Sequence, residues 1–127
     1  MPKTVLIVDN EIDSVEITSL SLRLSGDWHI VKAFNGQDAL ESIRINQPDV
    51  VLLDYYLGDS TGAKILEALK SEQTTVDIPV IIYTASPKRV QREPHHDPNL
   101  KILTKPVNPH KLSQILEGLI TAEEDKS

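Results

Sequence analysis

The stretch Asp49-Val50-Val51-Leu52-Leu53-Asp54-Tyr55-Tyr56-Leu57-Gly58-Asp59-Ser60-Thr61-Gly62 decides how this chain folds. Its first part is a continuous apolar run containing β-branched residues, the pattern of a strand covered on both faces. A carboxylate, Asp54, follows at once. Three other short runs are built the same way: TVLIV at 4–8 is followed by Asp9-Asn10, PVIIY at 79–83 by Thr84, and LKILT at 100–104 by Lys105. If these runs are neighbouring parallel strands, the polar groups all emerge on one carboxyl edge, where open α/β folds place their ligands. A carboxylate, an amide, a hydroxyl and an ammonium gathered there suggest phosphoryl transfer onto an aspartate.

Between the runs the period changes from strand-like to helix-like. After the first run, Asp13-Ser14-Val15-Glu16 has the spacing of a capping box. Ile17, Leu20 and Leu24 then repeat on one helical face until Gly26 supplies a stop, which predicts a buried stripe. Residues 28–33 read as a second strand, Asn35-Gly36 as a break, and Ala39, Leu40 and Ile43 as the stripe of a second helix ended by Gln47-Pro48. Ile65, Leu66 and Leu69 stripe a third. Ser86-Pro87 opens a fourth, but Pro94 arrives within about two turns and Val90 is its single apolar contact, so that helix is predicted to be short. His95-His96-Asp97-Pro98 reads as an irregular loop rather than a metal site, since adjacent histidines point in different directions. The last helix has Asn108 as its cap, Pro109 in its first turn, and Leu112, Ile115, Leu116 and Leu119 on one face. The polar end TAEEDKS is predicted to fray, and the domain is placed at 1–122 with a flexible tail at 123–127. Alternating strands and helices with short connections give a parallel sheet covered on both faces, because each crossover is right-handed.

Composition narrows the function classes. The chain has 127 residues with 39% hydrophobic content, enough for one core. No apolar stretch approaches the ~20 residues of a membrane span, and no signal peptide pattern precedes the first run, so a cytoplasmic location is expected. The absence of cysteine removes disulfides, thiolate nucleophiles and cysteine zinc sites. A net charge of -6 argues against a broad nucleic-acid footprint. Gly36 and Gly62 serve turns, and no glycine-rich loop follows the first strand, which disfavours a dinucleotide or flavin site.

VLIVDNE near the amino terminus, DVVLLDYYLGDSTG in the middle, PVIIYTA later and LTKP near the end together resemble the receiver domain of two-component response regulators, from Lys3 to about Leu119. The resemblance implies a flavodoxin-like doubly wound sheet of five strands in the order 2-1-3-4-5 with about five helices. It implies that Asp54 accepts a phosphoryl group from a histidine kinase or histidine phosphotransfer protein, and that the transfer is self-catalysed with Mg2+. Asp9, Asn10, Asp54 and the backbone carbonyl of Tyr56 are the implied metal ligands. Thr84 donates to one phosphoryl oxygen and Lys105 pairs with another. The Lys105-Pro106 bond is cis in the family. Partners implied are the phosphodonor, a downstream protein or an output domain outside these 127 residues, and a second copy in a homodimer.

Two positions depart from the family pattern. Asn10 stands where the family carries a second aspartate, which predicts weaker magnesium binding unless Glu11 compensates. Ile102 occupies the strand-five position of the family's switching aromatic residue, so signalling is expected to use another face or to couple weakly to this one. Tyr56 and Ser86, each two residues beyond Asp54 and Thr84, flank the path of hydrolytic water, and a bulky Tyr56 suggests slow phosphate loss. Each residue alone has a plainer reading: Asp54 as a loop cap, Asp9 to Glu11 as a helix entry, Thr84 as a strand former, Lys105 as a solvated lysine. The alternative function is a pseudo-receiver that binds partners without being phosphorylated. A small phosphate-ester hydrolase is a third, weakened because Tyr56 stands where a second acid is needed.

Overall fold

The computed structural model describes residues 2–93 and 100–125; the predicted loop through His95 and His96 lies outside them. Five parallel strands form one sheet: β1 Lys3–Val8, β2 Trp28–Ala33, β3 Val50–Leu53, β4 Val80–Thr84 and β5 Ile102–Thr104, in the order β2-β1-β3-β4-β5. The helices between them are α1 Ile12–Ser25, α2 Gly36–Asn46, α3 Gly62–Lys70, α4 Pro87–Gln91 and α5 Pro109–Glu124. This is the predicted order, and α4 is short as its prolines require.

Side chains alternate across the central strands and divide the core in two. Leu6, Val8, Val51, Leu53 and Ile82 face α2, α3 and α4 through Ala39, Ile43, Ile65, Leu69 and Val90. Val5, Ile7, Val50, Leu52, Ile81 and Tyr83 face α1 and α5 through Val15, Leu22, Leu112 and Leu116. All four β3 residues are buried, as expected for a strand covered on both sides. Caps are local: Asn35 accepts from the Asp38 amide at 2.8 Å and Asn108 from the His110 amide at 3.0 Å, each supplying an acceptor to an orphan helix N–H.

Two expectations are corrected. Helix α1 is rotated away from its predicted stripe: Ile17, Leu20 and Leu24 are 66%, 57% and 76% exposed, while Val15, Thr18, Ser19 and Leu22 are buried. Its entry is set by Asp9 rather than by a capping box, because Asp9 accepts the Glu11 amide at 3.0 Å and Glu11 occupies the cap position without a side-chain bond. Small residues on the buried face allow close packing on α5 and on Trp28, whose indole N–H donates to Ser113 Oγ at 2.8 Å. The last helix runs to Glu124, into the polar segment expected to fray; Ile120 is buried just before that segment, and Lys3 pairs with Glu124 at 2.7 Å.

The rotated α1 sets a direct comparison. Leu22→Ala should destabilise by about 2–5 kcal/mol through lost burial and a cavity, and Leu20→Ala by no more than about 0.5 kcal/mol. Urea unfolding of both variants checks this, and equal losses would contradict the rotation.

Candidate functional site

The topology carries the four strand-end groups to one edge. Pairing runs to the last residues: Val8 is level with Ala33 and with Leu53, and Thr84 with Thr104. The next residue is therefore the first free of the ladder on β1, β3 and β5. Main-chain bonds continue across the edge, from Asp54 N to Val8 O at 2.9 Å and from Lys105 N to Thr84 O at 2.8 Å.

Three of the predicted side chains meet. The Lys105 ammonium donates to Asp9 Oδ2 in a short ion pair, to Ser14 Oγ at 3.0 Å and to Asp54 Oδ2 at 3.4 Å. The second oxygen of Asp54 accepts the Tyr55 amide at 2.7 Å. Thr84 is buried beside them, and its hydroxyl oxygen accepts the Ser86 amide at 3.0 Å, leaving the hydroxyl proton to donate. Asn10 is exposed on the neighbouring loop and reaches toward Gly58, whose φ of 82° needs a residue without a side chain. The Lys105-Pro106 bond is cis.

The charges are unequal. Burial pushes the Asp9 carboxyl up, but hydrogen bonds from Lys105, the Glu11 amide and Ser14 outweigh it and hold Asp9 below its ordinary value. Burial raises Asp54, Lys105 opposes it, and the charge of Asp9 adds to the rise, so Asp54 ends above its ordinary value. Burial works against the Lys105 ammonium, yet the hydrogen bond to Asp9 and the charges of both acids raise its pKa. The lysine is closer to Asp9, which is why the two acids move in opposite directions.

The chain matches the model of the response regulator receiver domain over residues 5–117. It belongs to that family. It is 32% identical over 123 residues to the phosphate regulon transcriptional regulatory protein PhoB of Pseudomonas aeruginosa, an alignment covering 93% of this chain and 52% of that protein. The chain thus spans about half the length of that relative. A response regulator structure from Chloroflexus aurantiacus J-10-fl, described as putative, is 26% identical with a TM-score of 0.82, covering 95% of this chain and 99% of that one. The receiver domain of a sensor histidine kinase from Pseudomonas aeruginosa PAO1 shares the fold, with a TM-score of 0.84, 20% identity, and coverage of 95% and 99%.

Several contacts in the receiver carry no signal in the sequence. Ser14 was visible only as part of a capping box, and nothing in its spacing from Lys105 signals their contact. Tyr83 accepts the Val107 amide at 2.9 Å through its hydroxyl and so ties β4 to the loop carrying Lys105. Tyr56 is half-buried, and its hydroxyl donates to Glu93 at 2.7 Å, across 37 residues of sequence. Ile102 is half-buried against the core beneath α4.

A raised pKa for Asp54 means that its ionised form opposes folding. That cost is present above the folded-state pKa, shrinks as pH falls through it, and is absent once the carboxyl is protonated in both states. In metal-free protein near neutral pH, Asp54→Asn should therefore be more stable than wild type by about 0.5–2 kcal/mol. Urea unfolding with chelator across an acid series should show the two converging; a gap that widens toward acid would contradict the assignment.

Proposed function

We propose that this receiver is a working phosphoacceptor that takes a phosphoryl group from a phosphohistidine onto Asp54. The convergence of Asp9 and Asp54 on Lys105 carries the reading, since it joins a nucleophile, a metal-compatible carboxylate and a cation at one strand edge. In the reaction an Asp54 oxygen attacks phosphorus. The phosphorus–nitrogen bond breaks as the phosphorus–oxygen bond forms, and the electron pair leaves on the imidazole of the donor. The product is an acyl phosphate that water later hydrolyses. Positioning and charge neutralisation do most of the work, because the protein needs to form no other covalent bond. Lys105 is placed to shift from the carboxylates to a phosphoryl oxygen, and the Thr84 hydroxyl proton to reach another.

Magnesium takes hard oxygen ligands and keeps several waters, so a few protein oxygens suffice. Asp9, Asn10, Asp54 and the Tyr56 backbone carbonyl would hold it, and all four donors are oxygens. When bound, the ion neutralises charge on the phosphoryl oxygens. The family relative from the Pseudomonas aeruginosa sensor kinase has a magnesium ion coordinated in its active-site cleft. In this chain the amide of Asn10 removes one ligand charge.

The phosphodonor, a histidine kinase or phosphotransfer protein, has an apolar surface to meet. Ile17, Leu20 and Leu24 line the exposed side of α1, and that stripe starts one turn beyond Ser14, which touches Lys105. Downstream, the chain signals through protein contacts, with an attached output domain, a separate partner or a second copy as the receiving surface. No helix among the described residues is long and apolar enough to cross a membrane; we read the chain as cytoplasmic. Asn10 also favours the second reading, a pseudo-receiver that binds partners unphosphorylated.

Intact mass after incubation with acetyl phosphate and magnesium separates the two. Wild type should gain a phosphoryl group, and Asp54→Asn or added chelator should abolish the gain; no adduct and no beryllofluoride binding would select the pseudo-receiver. By calorimetric titration, Asn10→Asp should bind magnesium about tenfold more tightly, since it restores a ligand charge.

A further inference from the structure

Helix α4 has five residues and one buried apolar side chain, Val90, so packing alone anchors it thinly. A second attachment comes from the loop after the phosphoacceptor. The Tyr56 hydroxyl donates to Glu93 Oε1 at 2.7 Å, the Arg89 guanidinium lies 4.0 Å from the Tyr56 ring centroid, and Tyr55 meets that ring edge-on at 4.9 Å. Arg89 is within α4 and Glu93 lies just past its end, so one phenol grips both. Its backbone is fixed at the same time, by an isolated antiparallel bridge between Tyr56 and Thr61.

We propose that Tyr56 is a positioning residue that clamps α4 to the site, so that α4 reads occupancy of Asp54 through Tyr56 rather than through a ring on β5. The inference rests on the phosphoacceptor reading. The residue whose backbone carbonyl is proposed as a metal ligand is also the residue whose ring holds α4, and a single residue, Tyr55, separates it from Asp54. Any shift of this loop when Asp54 is occupied must move the ring relative to Arg89 and Glu93. Linkage makes the effect reciprocal: the factor by which occupancy changes α4 docking equals the factor by which docking changes affinity at the site. Ile102 is branched at Cβ and packed beneath α4, and offers no ring to take that part.

Tyr56→Phe keeps the ring over Arg89 and loses the bond to Glu93, whereas Arg89→Ala loses the cation; both leave the core untouched. In metal-free protein each should speed amide exchange at Val90, Arg92 and Glu93 by about tenfold relative to wild type. Beryllofluoride with magnesium, its binding followed by fluorine NMR, should change α4 exchange severalfold in wild type. In the variants that change should shrink, with affinity for beryllofluoride shifted by the same factor. Unaltered α4 exchange in both metal-free variants would overturn the clamp, and an undiminished response in them would overturn the coupling. A wild type that binds no beryllofluoride while the variants still loosen α4 would overturn the phosphoacceptor reading and the coupling, and leave the clamp established.

Discussion

The Lys105 ammonium is shared by two acids from two other strand ends, and the edge of the sheet is organised around it. The side chain of Lys105 is 18% exposed, those of Asp9 and Asp54 4% and 17%, so none is fully solvated, and the ammonium offsets part of the cost of burying the two acids. Such a triad forms only if β1, β3 and β5 end together. Parallel pairing in register and the main-chain bonds that continue past Val8 and Thr84 ensure it. Tyr83 adds a brace from beneath by fixing the Val107 amide, two residues beyond the lysine.

Within the triad the lysine is not equidistant. It is held by Asp9 and Ser14 and is farther from Asp54, which leaves the Asp54 oxygens less engaged, as the proposed attack on phosphorus requires. Two carboxylates and one ammonium leave a single negative charge, where a second acid in place of Asn10 would leave two. A less negative edge attracts a divalent cation less and repels an anionic phosphoryl donor less. Under the proposed metal site, Asn10 would exchange metal affinity for easier anion approach.

The fold was legible because the runs ending at Val8, Leu53 and Tyr83 are too short for helices and too apolar for exposed strands. Their following polar residues then located the edge without any knowledge of pairing. Helix α1 was misread because its solvent face carries larger apolar residues than its buried face. Ile17, Leu20 and Leu24 dominate the period, whereas Thr18 and Ser19 are buried by the closeness of α5, a tertiary constraint. The Ser14 contact was illegible for a related reason: it depends on the rotation of α1 about its axis, which periodicity had assigned wrongly. Tyr56 follows Asp54 by two positions, but its partners Arg89 and Glu93 belong to a different βα unit, and no local signal joins them.

The weakness of α4 is what makes it informative. A long helix with several buried contacts would absorb a sub-ångström shift at its edge, whereas an element anchored by Val90 and one aromatic clamp sits near the low end of the local stability range. Interfaces of this kind have discrete arrangements, docked or released, and do not deform continuously. The clamp consists of a hydrogen bond to a carboxylate, worth about 1.5–3 kcal/mol, and a cation over a ring, worth about 0.5–1 kcal/mol at an exposed site. Their sum is comparable to the 1–3 kcal/mol by which coupled sites ordinarily influence each other. Breaking the clamp is thus large enough to move a population and small enough for events at one aspartate to drive. Stronger anchoring would fix α4 whatever the state of Asp54, and weaker anchoring would leave it undocked in both.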